Sequence, residues 1–201
     1  MSLAFALTGG IACGKSTAEA CFKACGCRVL DADQVVRTLE SAGGAAVAPI
    51  VEYFGETVLS ADGSIDRQAL ATKVFGDLEA RIALEKIVHP LVRQATATWL
   101  AEATPSDISI FSAALLYECG WEGEWQGVVC VSASRETQIR RMCQIRGMTE
   151  AAAVARLNAQ MSLAEKASRS NWILENDTDE LAPLQEQVTA LVAKWKNEFN
   201  H

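Results

Sequence analysis

Lys15 and Ser16 follow Gly14 directly, and four residues separate Gly14 from Gly9 upstream. A glycine, four residues, then glycine, lysine and a hydroxyl is an order that lets a chain wrap phosphate between a strand and a helix. Glycine allows the backbone to curl so that successive N–H groups face the phosphate oxygens. The helix that follows adds the positive end of its dipole at the same point. Lys15 is expected to reach the β and γ phosphates and the Ser16 hydroxyl to ligate magnesium. Gly10, Ile11, Ala12, Cys13, Gly14 and Thr17 complete the expected cradle. Cys13, close to a helix N-terminus and to Lys15, is expected to have a lowered pKa and to oxidise readily.

A phosphate cradle does not define a reaction, so the other chemically suggestive residues narrow it. No Asp-x-x-Gly or Asn-Lys-x-Asp motif occurs, which removes the GTPase switch reading. A motor ATPase would need an apolar strand ending in adjacent carboxylates, whereas residues 108–111 run into Ser112-Ala113-Ala114. Between Arg135 and Arg156 there are five arginines (with Arg140, Arg141 and Arg146), no lysine and two acids. Arginine clamps phosphate oxygens in pairs, and such a segment suits a lid that keeps water from competing with the acceptor. A solvated helical face is the plainer account of any one of them. Asp31-Ala32-Asp33 closes a short apolar stretch, where a parallel sheet presents its ligand crevice. A carboxylate there could take the proton from an attacking alcohol, and Asp31 could equally cap a helix or pair with Arg37.

The elements that must position these groups follow from periodicity. Strands are expected at residues 1–7, 27–30, 108–112, 128–131 and 172–174, and helices at 16–24, over most of 34–103, through 135–167 and over 181–199. Strands alternating with helices predict an α/β, P-loop three-layer sandwich with a five-stranded parallel sheet. The long helical stretch predicts a substrate-binding insertion at 34–103, with the core at 1–33, 104–134 and 168–201 and the lid at 135–167. His89, before Pro90, is expected to end a helix or touch substrate. Tyr117 and the five tryptophans are expected to pack rather than stack on bases.

Composition excludes other classes. The 201 residues carry a net charge of −7, which argues against general nucleic-acid or anionic-membrane binding. No leader-like or bilayer-length apolar run occurs, so a soluble cytoplasmic protein is expected. Seven irregularly spaced cysteines fit reduced thiols, and Cys21, Cys25 and Cys27 lack the partners of a zinc site.

The chain also resembles the dephospho-coenzyme A kinase family over almost its whole length. The resemblance rests on Leu7-Thr8-Gly9-Gly10-Ile11 with Gly14-Lys15-Ser16-Thr17, on Asp31-Ala32-Asp33 with Arg37, and on Phe54-Gly55 with residues 62–67. It continues through Val74-Phe75, Ile87-Val88-His89-Pro90, Leu115-Leu116-Tyr117-Glu118, Gln138 with Arg140 and Arg146, Arg156 with Gln160, Lys166 and Asn176. It implies ATP with magnesium as donor and the ribose 3′-hydroxyl of dephospho-coenzyme A as acceptor. Asp33 falls at the family's acid/base position. Arg140 is expected to take the transition-state charge, with Lys15 on the phosphates, Arg146 and Arg156 in support from the lid and Asn176 near the adenine. Thr8, Asp31, Arg37, Arg67, His89, Leu115, Arg156 and Lys166 become candidate contacts to the acceptor. Arg67 and Lys166 are equally plausible as surface ion pairs. A monomer is favoured, with no macromolecular partner.

Three departures from the family pattern stand out: Ala12-Cys13 for glycine and serine, Ala114 for proline, and Ser170-Asn171 for an Ala-Asp pair. Competing readings are a kinase for another nucleoside or nucleotide and an ATP-binding regulatory protein without turnover. Asp31-Ala32-Asp33 with His89-Pro90 argues against the first, and the intact Lys15, Ser16 and Asp33 against the second.

Overall fold

The apolar runs become strands of one sheet. In the computed structural model, which describes residues 3–199, these are β1 (Leu3–Gly9), β2 (Arg28–Asp31), β3 (Ile108–Ser112), β4 (Val128–Ser132) and β5 (Trp172–Glu175). Their order is β2-β3-β1-β4-β5, and β1 pairs in parallel with both β3 and β4. All residues of β3 are buried, as a strand covered on both faces requires.

Helices join them: α1 (Lys15–Ala24), α2 (Ala32–Leu39), α3 (Val47–Phe54), α4 (Arg67–Val74), α5 (Leu78–Ala101), α6 (Arg135–Arg146), α7 (Glu150–Asn158), α8 (Leu163–Arg169) and α9 (Leu181–Phe199). Side chains cap several of them: Asp66 accepts from the backbone of Gln68 and Ala69, Ser134 from Thr137, and Thr149 from Ala152. None of the helices among the described residues is long and apolar enough to cross a membrane.

Asp31–Glu102 forms one compact unit, and the other described residues form a second. In the larger unit, α1 and α9 share a core with the sheet through Phe5, Leu7, Phe22, Val131, Val188 and Trp195. The Trp195 ring stacks on Phe5 at 3.9 Å and lies nearly parallel to Phe22 at 5.9 Å, while Trp125 stacks on Phe111 at 4.7 Å. Tyr117 hydrogen-bonds Ser170 at 2.7 Å, and Asn171 accepts from the Val128 N–H at 2.8 Å. The aromatic residues therefore pack as expected, and Ser170-Asn171 supplies neutral hydrogen bonds.

The smaller unit is helical. Its Asp62–Ser64 turn is tied by the Asp62 carboxylate to the Ser64 backbone N–H (3.0 Å) and hydroxyl (2.6 Å), and the Ile65 N–H donates to the Glu40 carbonyl at 2.9 Å. Of the two readings of His89, the helix end fails here. α5 does not stop before Pro90 but runs through it. The buried side chains of Val88 and Val92 lie on both sides of the proline, and their packing outweighs the lost backbone bond.

Candidate active site

The glycine loop between β1 and α1 is shaped by contacts on its carbonyl side. The Gln138 side chain donates to the Ile11 carbonyl at 2.7 Å, Arg141 to that of Ala12 at 3.4 Å, and the Asn176 amide to that of Cys13 at 2.7 Å. A trans peptide sets its N–H opposite its C=O, so tying the Ile11 and Cys13 carbonyls turns the N–H groups of Ala12 and Gly14 to the other side. Gly14 is required there: its φ is +91°, and a Cβ would lie 2.1 Å from the Asn176 amide nitrogen. Lys15, Ser16 and Thr17 form the first turn of α1, whose N–H groups lack intrahelical partners. The loop therefore offers the donors that an anion needs. Beside it lies a cavity of about 620 Å³ lined by Gly10, Ile11, Arg135, Gln138, Met161 and Leu163.

Lys15 points to the end of β3. Its Nζ lies 2.8 Å from the Ser112 hydroxyl and 2.7 Å from Glu19 Oε1, and the Ser112 hydroxyl donates to the same carboxylate oxygen at 2.5 Å. Glu19 is buried, whereas the Ser16 side chain is exposed.

Several sequence expectations are corrected at this end of the sheet. Cys13 is fully buried, and burial pushes its thiol up to about 11, outweighing the charges of Arg141 and Lys166 that favour the thiolate. Lys166 is also fully buried: it donates to the Ala114 carbonyl at 2.6 Å and pairs with Glu118 at 2.8 Å. It is neither a surface pair nor an open phosphate contact. Its bond to Ala114, with the Ala113 N–H donating to the Leu7 carbonyl at 2.9 Å, holds the turn that lacks the family's proline. Thr8 is buried with its hydroxyl directed at the Ala114 carbonyl, 3.4 Å away, so it braces the strand. Leu115 beside it is half exposed. Asn176 is buried against the loop carbonyl, so its part is to hold the loop.

The arginine segment divides residue by residue. Arg140 forks onto Asp179 at 2.5 and 3.0 Å, which holds the Asp179 carboxyl below the usual carboxylate range. Arg141 is buried and reaches both the Thr178 carbonyl (2.6 Å) and the loop. Arg146 and Arg156 are exposed. Arg141 also donates to Asp179 at 3.3 Å, so the two adjacent arginines share that carboxylate, and only Arg141 continues to the loop. Arg141 and Glu19 were not singled out from the sequence. The four-residue spacing of Glu19 from Lys15 on α1 was the available signal.

In the smaller unit, Asp31 caps α2 by accepting from the Asp33 N–H at 3.0 Å, and the Asp33 side chain is exposed. Arg37 donates to Gln34 at 3.3 Å, and Arg67 pairs with Glu40 at 2.8 Å. Asp33, Arg37, Glu40, Arg67, Leu70 and Val74 line a cavity of about 350 Å³. His89 sits inside α5, partly buried, and burial lowers its pKa from the usual histidine value.

Comparison with known proteins shows the family of the chain. Residues 3–181 match the dephospho-CoA kinase family (CoaE). The dephospho-CoA kinase of Anaeromyxobacter dehalogenans is 44% identical over 174 residues, covering 85% of this chain and 82% of its own. That of Syntrophotalea carbinolica is 36% identical over 196 residues, covering 96% and 92%. A crystal structure from Thermus thermophilus superposes with a TM-score of 0.83 at 35% identity, covering 96% of this chain and 97% of its own. Shikimate kinase from Bacteroides thetaiotaomicron shares the fold at a TM-score of 0.51 and 16% identity, covering 96% and 98%.

Proposed function

The chain belongs to the dephospho-CoA kinase family, and from that membership we propose how its residues divide the transfer of the ATP γ-phosphoryl group to the ribose 3′-hydroxyl of dephospho-coenzyme A. It is a kinase of coenzyme A biosynthesis. The observation that carries the reading is the loop with its carbonyls tied back and Lys15 at its exit.

Backbone N–H groups from Gly10 to Thr17 take the β and γ phosphates, and Lys15 adds its charge to them. The adjoining cavity is of a size that suits a nucleotide. Arg140 and Arg146 act on the transferring group, Arg140 by exchanging Asp179 for phosphate. Segment 135–167 is the lid. The smaller unit takes the acceptor through Asp31, Arg37, Arg67 and His89. In the larger unit, Arg156 of the lid and the half-exposed Leu115 are assigned to the acceptor as well. Asp33 is the general base for the attacking hydroxyl, supported by its exposed carboxylate and the adjoining cavity.

Magnesium fits the residues present. Ser16 offers an exposed hydroxyl at the loop exit, a hard oxygen donor. Among the described residues no three His, Cys, Asp or Glu side chains form a metal cluster, as befits an ion that arrives with nucleotide phosphates. When bound, it would neutralise charge on the phosphates.

A coupled ADP-release assay with ATP and magnesium tests the reading against dephospho-coenzyme A, adenosine, AMP and pantothenate, with the phosphate position read by NMR. Turnover on dephospho-coenzyme A alone, with phosphate on the 3′ oxygen, is expected. Turnover on adenosine or AMP instead would replace the acceptor assignment.

A further inference from the structure

In P-loop phosphoryl transfer the magnesium ion is held between the loop hydroxyl and an acid at a strand end. In this chain the strand beside the loop strand carries no such acid. β3 ends on Ser112, which lies opposite Leu7 of β1. A carboxylate reaches this point from the other side. Glu19 leaves α1, is 8% exposed, and accepts from the Ser112 hydroxyl at 2.5 Å. Ser16 and Glu19 are three residues apart on α1, so they lie on one face of the helix.

We propose that Glu19, held by Ser112, is the magnesium-directed carboxylate of this kinase, doing from the loop helix what a strand-end acid does elsewhere. It acts on the water shell of the ion, as a positioning residue. The proposal rests on nucleotide binding at the loop and is indifferent to which acceptor is used.

The electrostatics explain why Glu19 needs a cation in both states. In the structure Lys15 lies 2.7 Å from Glu19 and balances its charge. When phosphates draw Lys15 away, Glu19 remains buried with the Ser112 hydroxyl as its support. A buried carboxylate stripped of its counter-charge is strongly unfavourable. A divalent ion entering with the nucleotide restores the balance, so Lys15 and magnesium alternate as the partner of one carboxylate. Metal-free nucleotide must then bind against an uncompensated charge at Glu19, and nucleotide with metal must not. A Glu19 that merely orients Lys15 would have a different signature, since its loss would weaken both forms alike.

The test uses the whole chain and no acceptor. ADP binding is measured by calorimetry with EDTA and with magnesium, and manganese binding to the ADP complex by EPR, for the parent, E19Q and E19A/S112D. E19Q keeps the shape and a hydrogen bond to Ser112 while removing the charge. It is expected to lower manganese affinity in the ADP complex about 10-fold or more, and to leave metal-free ADP binding unchanged or tighter. E19A/S112D, with the acid moved to the strand end, is expected to recover manganese affinity to within about 3-fold of the parent. Manganese affinity within about 2-fold of the parent in E19Q would overturn the proposal, given that a lost metal-directed contact costs 10-fold or more. Equal weakening of metal-free and metal-loaded ADP binding would overturn it too, by making Glu19 a support for Lys15 alone. Failure of the parent itself to bind ADP would instead overturn the nucleotide reading and this inference with it.

Discussion

A carboxylate that serves as base for an alcohol must be ionised and close, but it need not be buried. Asp33 lies in the first turn of α2, where the helix dipole favours an anion, and its side chain is exposed. With Asp33 as the proposed base, Asp33→Asn keeps the shape and removes the basic oxygen, so kcat should fall by about 10²- to 10⁴-fold while ATP affinity by calorimetry stays that of the parent. Cys13 gives the opposite lesson about charge. The helix terminus and nearby cations favour a thiolate, yet complete burial outweighs them and holds the thiol protonated until the pH approaches about 11. Iodoacetamide at pH 8 should therefore leave Cys13 unmodified with or without ATP, as read by peptide mass mapping, and label it only near pH 11 or after unfolding. A loop position next to a lysine is visible in sequence. Whether water reaches it is decided by α6 and β4, far along the chain, and no local pattern carries that information.

At the scale of elements, the loop is held by its surroundings more than by itself. α6 contributes Gln138 and Arg141, and the residue just past β5 contributes Asn176. Truncating one such donor leaves a carbonyl without its partner, worth about 1–3 kcal/mol. Gln138→Ala and Asn176→Ala should each weaken ATP binding by about 5- to 150-fold in calorimetry, with the circular dichroism of the parent retained. The loop was legible because glycine, lysine and serine at fixed spacing follow from the shape of phosphate itself. The arginine segment was legible only as a composition. Which arginine meets the loop depends on the rotation of α6: both Arg140 and Arg141 reach Asp179, and Arg141 reaches the loop as well. α5 exposes the limit of local rules in another way, since proline at Pro90 argues for a stop and the packing of Val88 and Val92 carries the helix on.

At the scale of the whole molecule, distant segments depend on buried polar contacts. Lys166 on α8 is fully enclosed and bonded to Ala114 and Glu118 beyond β3. Lys166→Met should remove about 1–3 kcal/mol of stability, chiefly by leaving the Ala114 carbonyl without its donor, seen as a lower urea midpoint. The strands were legible from their apolar runs, and the alternation with helices gave the α/β class. The order β2-β3-β1-β4-β5 has no signature in any one strand, because neighbours are chosen by packing across the full chain. That order has a consequence for how the protein is made. β1 has β3 and β4 as its sheet partners, and about one hundred residues separate Gly9 from Ile108. At about 5–20 residues per second, the ribosome needs about 5–20 s to supply the first of them. During that interval Phe5 and Leu7 lack their sheet partners on the nascent chain, while Asp31–Glu102 is contiguous and emerges as a finished segment. The segment 31–102 is thus complete before the sheet of the larger unit, whose glycine loop gains its last brace only when Asn176 has left the ribosome.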